Sequence, residues 1–191
     1  MREATFKRRL IAQAEIRPGQ HVLDLGCGTG TLTILLKQAH PGADVRGLDA
    51  DPVALELARR KAVESGVELR LDRGMSSVLP YAEHAFDRVV SSLLFHHLTR
   101  ADKEATLREV RRVLRPGGEL HVADFGRARN PVMRVAFLLV QMLDGFEITS
   151  DNVRGALPGL FARAGFEDVR QRGDYQTICG TLSLYQARKP R

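Results

Sequence analysis

Three glycines, Gly26, Gly28 and Gly30, fall within five residues of the stretch "VLDLGCGTGTLTILL", Val22 to Leu36, between two apolar runs. A backbone bare of side chains that turns from a buried strand into a helix N-terminus is a place where a ligand can approach closely. Two carboxylates accompany the turn. Asp24 precedes it, and Asp49 follows Gly30 by 19 residues, near the ~20 that separates such a turn from an acid that takes ribose hydroxyls. The glycine spacing is GxGxG, whereas a dinucleotide turn reads GxGxxG. A carboxylate at the mouth of the turn repels a pyrophosphate and welcomes an ammonium group. These residues therefore ask for a ligand with a ribose and a cationic tail and without phosphate. His96 and His97 form a second reactive pair. Either can act as a general base near neutral pH, and we assign the role to His97, with a structural role as the other reading.

These residues need elements to hold them. Residues 3–16 read as an amphipathic helix that stops at Pro18-Gly19. Strands are expected at 22–25, 45–48, 67–71, 86–91 and 119–124. Helices are expected at 29–39, from Asp51-Pro52 to about Ser65, and at 99–114, where Leu107, Val110, Val113 and Leu114 form a helical stripe. Asp51 reads as a helix cap with Pro52 at the first helical position, and Pro116-Gly117-Gly118 reads as a turn. Strand–helix alternation over 20–124 builds right-handed βαβ units, an α/β fold with a parallel sheet and helices on both faces. Ligands bind such sheets beyond the C-terminal strand ends, where the strand order reverses. After Asp124 the pattern changes: 127–150 is irregular and apolar, a helix is expected near 157–164, and strands near 166–173 and 176–187 close the chain as a hairpin.

The length of 191 residues and the ordinary balance of 43% hydrophobic and 27% charged residues suit one globular domain, 1–191, with an N-terminal helix in 1–19. The net charge is +6, and its basic residues sit on helix faces such as Arg59-Arg60-Lys61 and Arg111-Arg112. That reads as solvated surface, so no nucleic-acid partner is expected. Cys27 and Cys179 stand alone without a CxxC, which is neither a disulfide framework nor a zinc site. No metal is expected, Cys27 reads as a small buried filler, and a cytoplasmic setting fits. The N-terminus lacks the apolar run of a secretory signal. The most apolar segment, Val135 to Leu143, falls well short of the ~20 residues of a membrane span.

S-adenosylmethionine has the ammonium, the ribose and the positive sulfonium that the two acids and the turn ask for. The segments "VLDLGCGTG", "GLDADP", "LPYAEHAFDRVVSSLLFHHL" and "LREVRRVLRPGGELHVADF" resemble the successive motifs of class I S-adenosylmethionine-dependent methyltransferases. They are most similar to the small-molecule group that includes the quinone-biosynthesis C-methyltransferases. The likeness covers about residues 20–125 and is weaker in "LFARAGFEDV" and "GTLSLYQARK". It implies a doubly wound, Rossmann-like sheet of seven strands, mostly parallel with an antiparallel last strand. It implies that Asp24 and the backbone of Gly26, Cys27, Gly28 and Gly30 face the methionine moiety. Asp49 would hold the ribose with Ala50 beside it, Met75 and Ser76 would flank the adenine, and Ser92 would line the methionine end. Met75 stands where the family often has Asp or Asn, so the adenine amino group loses a side-chain acceptor. Met75 can still pack on the ring, and the backbone of Ser76 can bond its edge.

The expected activity is methyl transfer to a small molecule, leaving S-adenosylhomocysteine as product. A PPY-type segment after the fourth strand would mark a nucleic-acid amino-methyltransferase, and this chain has "SSLLFHHL" there. The stretch "NPVMRVAFLLVQMLDGF" sits where related small-molecule enzymes place a lid. Residues 131–146 are either such a lid, offering Met133, Phe137, Leu138, Met142 and Phe146 to an apolar or aromatic acceptor, or an ordinary packing helix. An RNA or protein methyltransferase and a non-catalytic cofactor-binding module are the alternative readings. Tyr81 and Tyr175 are further candidates for a cleft. The oligomeric state is left open.

Overall fold

The computed structural model describes residues 3–126, 155–177 and 180–191. The segment 131–146, for which lid and packing helix are the two expectations, lies outside the described residues.

The elements are α1 (Glu3–Gln13), β1 (His21–Leu25), α2 (Thr31–Ala39), β2 (Asp44–Asp49), α3 (Pro52–Glu64), β3 (Arg70–Arg73), β4 (Phe86–Ser92), a 3-10 turn (Phe95–His97), α4 (Arg100–Val113), β5 (Leu114–Phe125), α5 (Leu157–Arg163), β6 (Glu167–Thr177) and β7 (Gly180–Arg188). They form one seven-stranded sheet in the order β3-β2-β1-β4-β5-β7-β6. Strands β1 to β5 pair parallel. β7 runs antiparallel to both β5 and β6, so it is the reversed strand that the resemblance implies. The order turns back between β1 and β4, which places the reversal at the C-terminal end of β1, directly below the glycine turn.

Period-2 alternation along the strands feeds two cores. Leu23 and Leu25 of β1 join Val89, Leu120 and Val122 against α4 and α5, with Leu107, Val110, Leu160 and Phe161 opposite. Val22 points the other way and joins Val45, Val90 and Ala123 against α1 and α2, where Phe6, Leu10, Ile11, Leu32 and Leu36 meet them. Fully burying one such side chain contributes about 1.5–3 kcal/mol. Burial of these stripes, more than helix propensity, holds the short helices on the sheet.

Three of the differences from the sequence reading have a visible cause or shift a turn. β3 begins at Arg70, three residues after the expected Val67. Gly66 (φ 64°) ends α3, and the Val67 N–H donates back to the Ala62 carbonyl at 2.9 Å, so helix capping takes those residues. Pro116-Gly117-Gly118 lies inside β5 rather than ahead of it: Phe86 opposes Leu114 while Arg88 opposes Glu119, so the glycines form a bulge in a continuing strand. The β6–β7 hairpin turns later than expected, with Thr177 opposite Gly180.

Candidate active site

The alternation that sends Val22 toward α1 and α2 sends Asp24 the same way, and Asp24 is fully buried. Its Oδ2 accepts a hydrogen bond from the Thr33 hydroxyl of α2 at 2.7 Å, and its Oδ1 has no hydrogen-bond partner. Burial pushes this carboxyl up to about 6, against the Thr33 bond and the positive charge of Lys7, which pull it down. The sequence reading puts Asp24 at the mouth of the turn. The structure puts it beneath the turn, away from the cavity surface, because β1 stays extended and alternating through Leu25.

The turn is built from left-handed backbone: φ is 69° at Gly26, 51° at Gly28 and 75° at Gly30. Two of these glycines also answer to space. A Cβ on Gly30 would come 2.8 Å from the Ala58 Cβ of α3, whereas a Cβ on Gly28 would meet nothing within 4 Å. Gly30 therefore lets α2 and α3 approach, and Gly28 keeps bare backbone facing open space.

Asp49 ends β2 and stitches the turn to the next loop. Its Oδ2 accepts the Gly28 N–H at 2.7 Å and its Oδ1 the Asp51 N–H at 2.9 Å. The Gly26 and Cys27 N–H groups both donate to the Leu48 carbonyl, at 2.9 and 3.0 Å. Each Asp49 oxygen keeps acceptor capacity beyond its one backbone partner. Asp51 caps α3, its Oδ1 accepting the Val53 N–H at 2.8 Å.

Gly26, Cys27, Gly28, Asp49, Ser92 and His97 line one cavity of about 350 Å³ at the C-terminal strand ends. Lys7, Thr29, Thr31, Leu93 and Leu94 line it too, and the sequence reading singled out none of them. Lys7 left a legible trace: it shares the face of α1 that carries Leu10 and Ile11, three and four residues on, where a lysine is out of place. Leu93 is held at φ 59° with its N–H on the Ala123 carbonyl at 2.8 Å, a costly backbone for a bulky residue and of the kind that gathers at ligand sites. Cys27 is buried, and burial first, then the Asp24 and Asp49 carboxylates, push its thiol well above its ordinary range. That environment disfavours the thiolate, the form in which a cysteine attacks.

The methyltransferase-domain family matches residues 22–118, just over half of the chain. Over 97% of its length the chain is 33% identical to an uncharacterized methyltransferase of Synechocystis sp., covering 84% of that protein. The chain belongs to the class I S-adenosylmethionine-dependent methyltransferases. It is also 41% identical over 120 residues to the demethylmenaquinone methyltransferase of Thermus thermophilus, a match that takes in 63% of this chain and spans about half of that relative, 54%. A solved S-adenosylmethionine-dependent methyltransferase of Methanosarcina mazei shares the fold with a TM-score of 0.76 at 22% identity, over 94% of this chain and 97% of that one.

The cavity's chemistry fits the cofactor of this methyltransferase family. An unpartnered, buried carboxylate oxygen of Asp24 underlies the turn, open space lies over Gly28, and Asp49 presents acceptors to the same cavity. Other residues that the resemblance assigns to the cofactor stand apart from the cavity lining. Gly30 packs on Ala58, and Ala50 is exposed just beyond Asp49. Met75 is 59% exposed and bridges to Val78, while the Ser76 hydroxyl is 2.9 Å from the Thr106 hydroxyl of α4. The Gly74 N–H on the Asp49 carbonyl at 3.0 Å still keeps the Met75–Ser76 loop next to the end of β2. Tyr81 donates to Asp72 at 2.8 Å, and Tyr175 packs on the α1–α2 core, so neither lines the cavity.

The two histidines separate. His96 is buried, with its Nδ1 2.9 Å from Asp124 Oδ1. Asp124, fully buried at the end of β5, also accepts the Phe95 and Phe125 N–H groups, each at 2.7 Å. His97 is exposed at the cavity, and its ring centroid lies 3.9 Å from that of His96. Among the described residues no helix is long and apolar enough to cross a membrane, and no group of three or more metal-ligating side chains occurs.

Proposed function

We propose that the chain binds S-adenosylmethionine in the 350 Å³ cavity and methylates a small, apolar or aromatic acceptor of the demethylmenaquinone kind. The observation that carries this reading is the pairing of Asp49 with bare, open Gly28 backbone at the point where the strand order reverses. When bound, the cofactor supplies a methyl group on a positively charged sulfur. The chain supplies position. The backbone from Gly26 to Gly28 receives the amino-acid end with Ser92 beside it, and Asp49 accepts the ribose hydroxyls, with Ala50 alongside. Met75 and the Ser76 backbone lie against the adenine. Holding two partners in line lowers the barrier by itself. His97, at the cavity and open to solvent, takes the proton that an acceptor carbon or hydroxyl loses as it gains the methyl group. His96 and Asp124 hold the loop from which His97 projects. The names of the demethylmenaquinone methyltransferase relatives and the apolar stretch over residues 131–146 support the apolar acceptor.

The basic charge supports an RNA acceptor less well. Arginines gather in two grooves at the other end of the sheet, one with Arg17, Arg88, Arg172 and Arg188, the other with Arg108, Arg111 and Arg112 beside Lys189.

Calorimetry with S-adenosylhomocysteine and with NAD tests the cofactor, and labelled methyl transfer tests the acceptor, with a reduced naphthoquinone set against RNA and protein. Binding of the homocysteine nucleoside alone and label in the naphthoquinone are expected. NAD binding without the homocysteine nucleoside would overturn the cofactor assignment, and label appearing only in RNA or protein would overturn the acceptor class.

A further inference from the structure

We propose that Gln13 and His121 are positioning residues for the cofactor cavity: while the His121 ring is neutral they latch the end of α1 to β5, and protonation of that ring slackens α1 and one wall of the cavity with it. The consequence for ligands rests on the cofactor reading above, whereas the latch itself does not.

His121 of β5 is fully buried where α1 packs on that strand. Its Nδ1 is 3.1 Å from the Gln13 side-chain nitrogen, and the same nitrogen donates to the Tyr185 carbonyl of β7 at 2.9 Å. That carbonyl fixes which way the Gln13 amide points. Its NH2 group faces both partners, so the His121 Nδ1 accepts. The ring is therefore neutral, with its proton on Nε2. This nitrogen is 3.3 Å from Glu119 Oε2, in ion-pair range but out of line for a good hydrogen bond. A proton added to Nδ1 would set donor against donor. Turning the Gln13 amide over would set its oxygen against the Tyr185 carbonyl. Neither arrangement keeps both bonds. Among the charges around the ring, Glu119 attracts a proton, but Arg88 of β4 at 3.6 Å and Arg188 of β7 at 2.9 Å already hold it. Arg88 and Arg172 of β6 repel a proton, and burial, the largest influence, holds the ring's pKa below its ordinary 6.5. Arg88 also donates to the Ala14 carbonyl at 2.9 Å, a second tie on the end of α1. An arginine does not titrate near neutral pH, so of the two ties only the one through Gln13 responds to acid. Lys7 lines the cavity six residues before Gln13, about 9 Å along the same helix, and movement at Gln13 therefore reaches the cavity wall.

A folded pKa held below 6.5 means that the stability contributed by the neutral ring is full above about pH 6.5 and is lost as the pH falls. An opening that frees His121 should therefore become easier by up to about tenfold between pH 7.5 and 5.5, the ceiling for one histidine. Hydrogen exchange at the amides of residues 9–14 reads this, corrected for the intrinsic pH dependence of exchange. Urea well below the unfolding transition identifies local openings, which it leaves unchanged. Wild-type protein is expected to lose at least about threefold of that protection on acidification, within the one-histidine ceiling. Asp24, with its carboxyl at about 6, titrates in the same window, so the wild type is compared with two variants. His121→Leu has no ring to protonate, and its protection should change less than half as much. Gln13→Glu offers Nδ1 an acceptor for the added proton, so its protection should hold steady or rise. S-adenosylhomocysteine affinity at the two pH values should fall further in the wild type than in His121→Leu. Wild-type protection that does not change, or that is lost only with global unfolding, overturns the latch, as does an equal acid loss in His121→Leu. If His121→Leu does not fold, Gln13→Glu decides, and an acid loss equal to that of the wild type overturns the latch. An exchange difference without an affinity difference overturns the positioning role. Protein that binds no S-adenosylhomocysteine at either pH overturns the cofactor reading and the positioning role with it, and the exchange data then decide the latch alone.

Discussion

The carboxylate of Asp49 accepts the backbone N–H of Gly28 at 2.7 Å, across the gap between the end of β2 and the glycine turn. An acid proposed to bind ribose thus also holds the loop that receives the rest of the ligand. Asp49→Ala removes that bond and the one from Asp51 N–H. We expect S-adenosylhomocysteine affinity to fall at least tenfold, from the loss of about 1.5–3 kcal/mol of charge-assisted hydrogen bonding, together with a lower melting temperature. Asp51→Ala removes only the α3 cap, so it should cost about 1 kcal/mol of stability with little change in affinity. A ligand titration and a urea melt on each variant separate the two acids.

Asp24 sets stability against binding. Its carboxyl stands at about 6 in the folded chain against 3.8 ordinarily. A folded pKa that is raised means that the folded state favours the protonated acid. The stability this contributes is therefore full below about pH 3.8 and is lost as pH rises through about 6. Above that range the ionised group costs about 3 kcal/mol. Asp24→Asn keeps an acceptor for the Thr33 hydroxyl and removes the charge. Thermal melts from pH 4 to 8 should show the variant above the parent at pH 7.5, with the gap closing toward pH 4. A variant that melts below the parent at pH 7.5 would show that the charge of Lys7 outweighs the burial of Asp24.

Gly28 and Gly30 share a left-handed backbone but not a purpose. Gly28→Ala should cost about 1 kcal/mol, the strain of a left-handed non-glycine residue, since its Cβ meets no protein atom. That methyl group would enter the ligand's space and abolish nucleoside binding. Gly30→Ala adds overpacking of about 1–3 kcal/mol against Ala58 at 2.8 Å, so stability should fall further. Denaturant midpoints and calorimetry on both variants check the contrast.

Asp124 and His97 should divide along the same line. Asp124→Asn replaces one carboxylate oxygen by an amide donor, which then faces either the Phe95 N–H or the Phe125 N–H together with His96, and leaving buried donors unmet there should cost about 1–3 kcal/mol in a urea melt. His97→Asn, at an exposed position, should change stability by less than about 0.5 kcal/mol and lower methyl transfer with cofactor affinity intact.

The glycine turn, Asp49 at the end of β2, the cap at Asp51 and the alternation of strands and helices were legible in the chain because each is set within a few residues. Backbone freedom at Gly28, an aspartate before a proline, and period-2 or period-3.6 apolar spacing are local properties. β3 slipped because a helix cap at Gly66 and Val67 competes for residues that also suit a strand. What Asp24 and Lys7 meet on their sides, and which histidine is buried, were not legible. Alternation says that Asp24 faces away from Leu23 and Leu25, but not that Thr33 and Lys7 wait on that side. Which of two adjacent histidines is buried depends on where Asp124 arrives, 28 residues after His96. Those partners meet through the crossovers and the packing of α1 and α2 over β1. Burial then converts surface-type residues into a carboxylate with one unpartnered oxygen and a buried cation, whose chemistry depends on water excluded by distant parts of the chain.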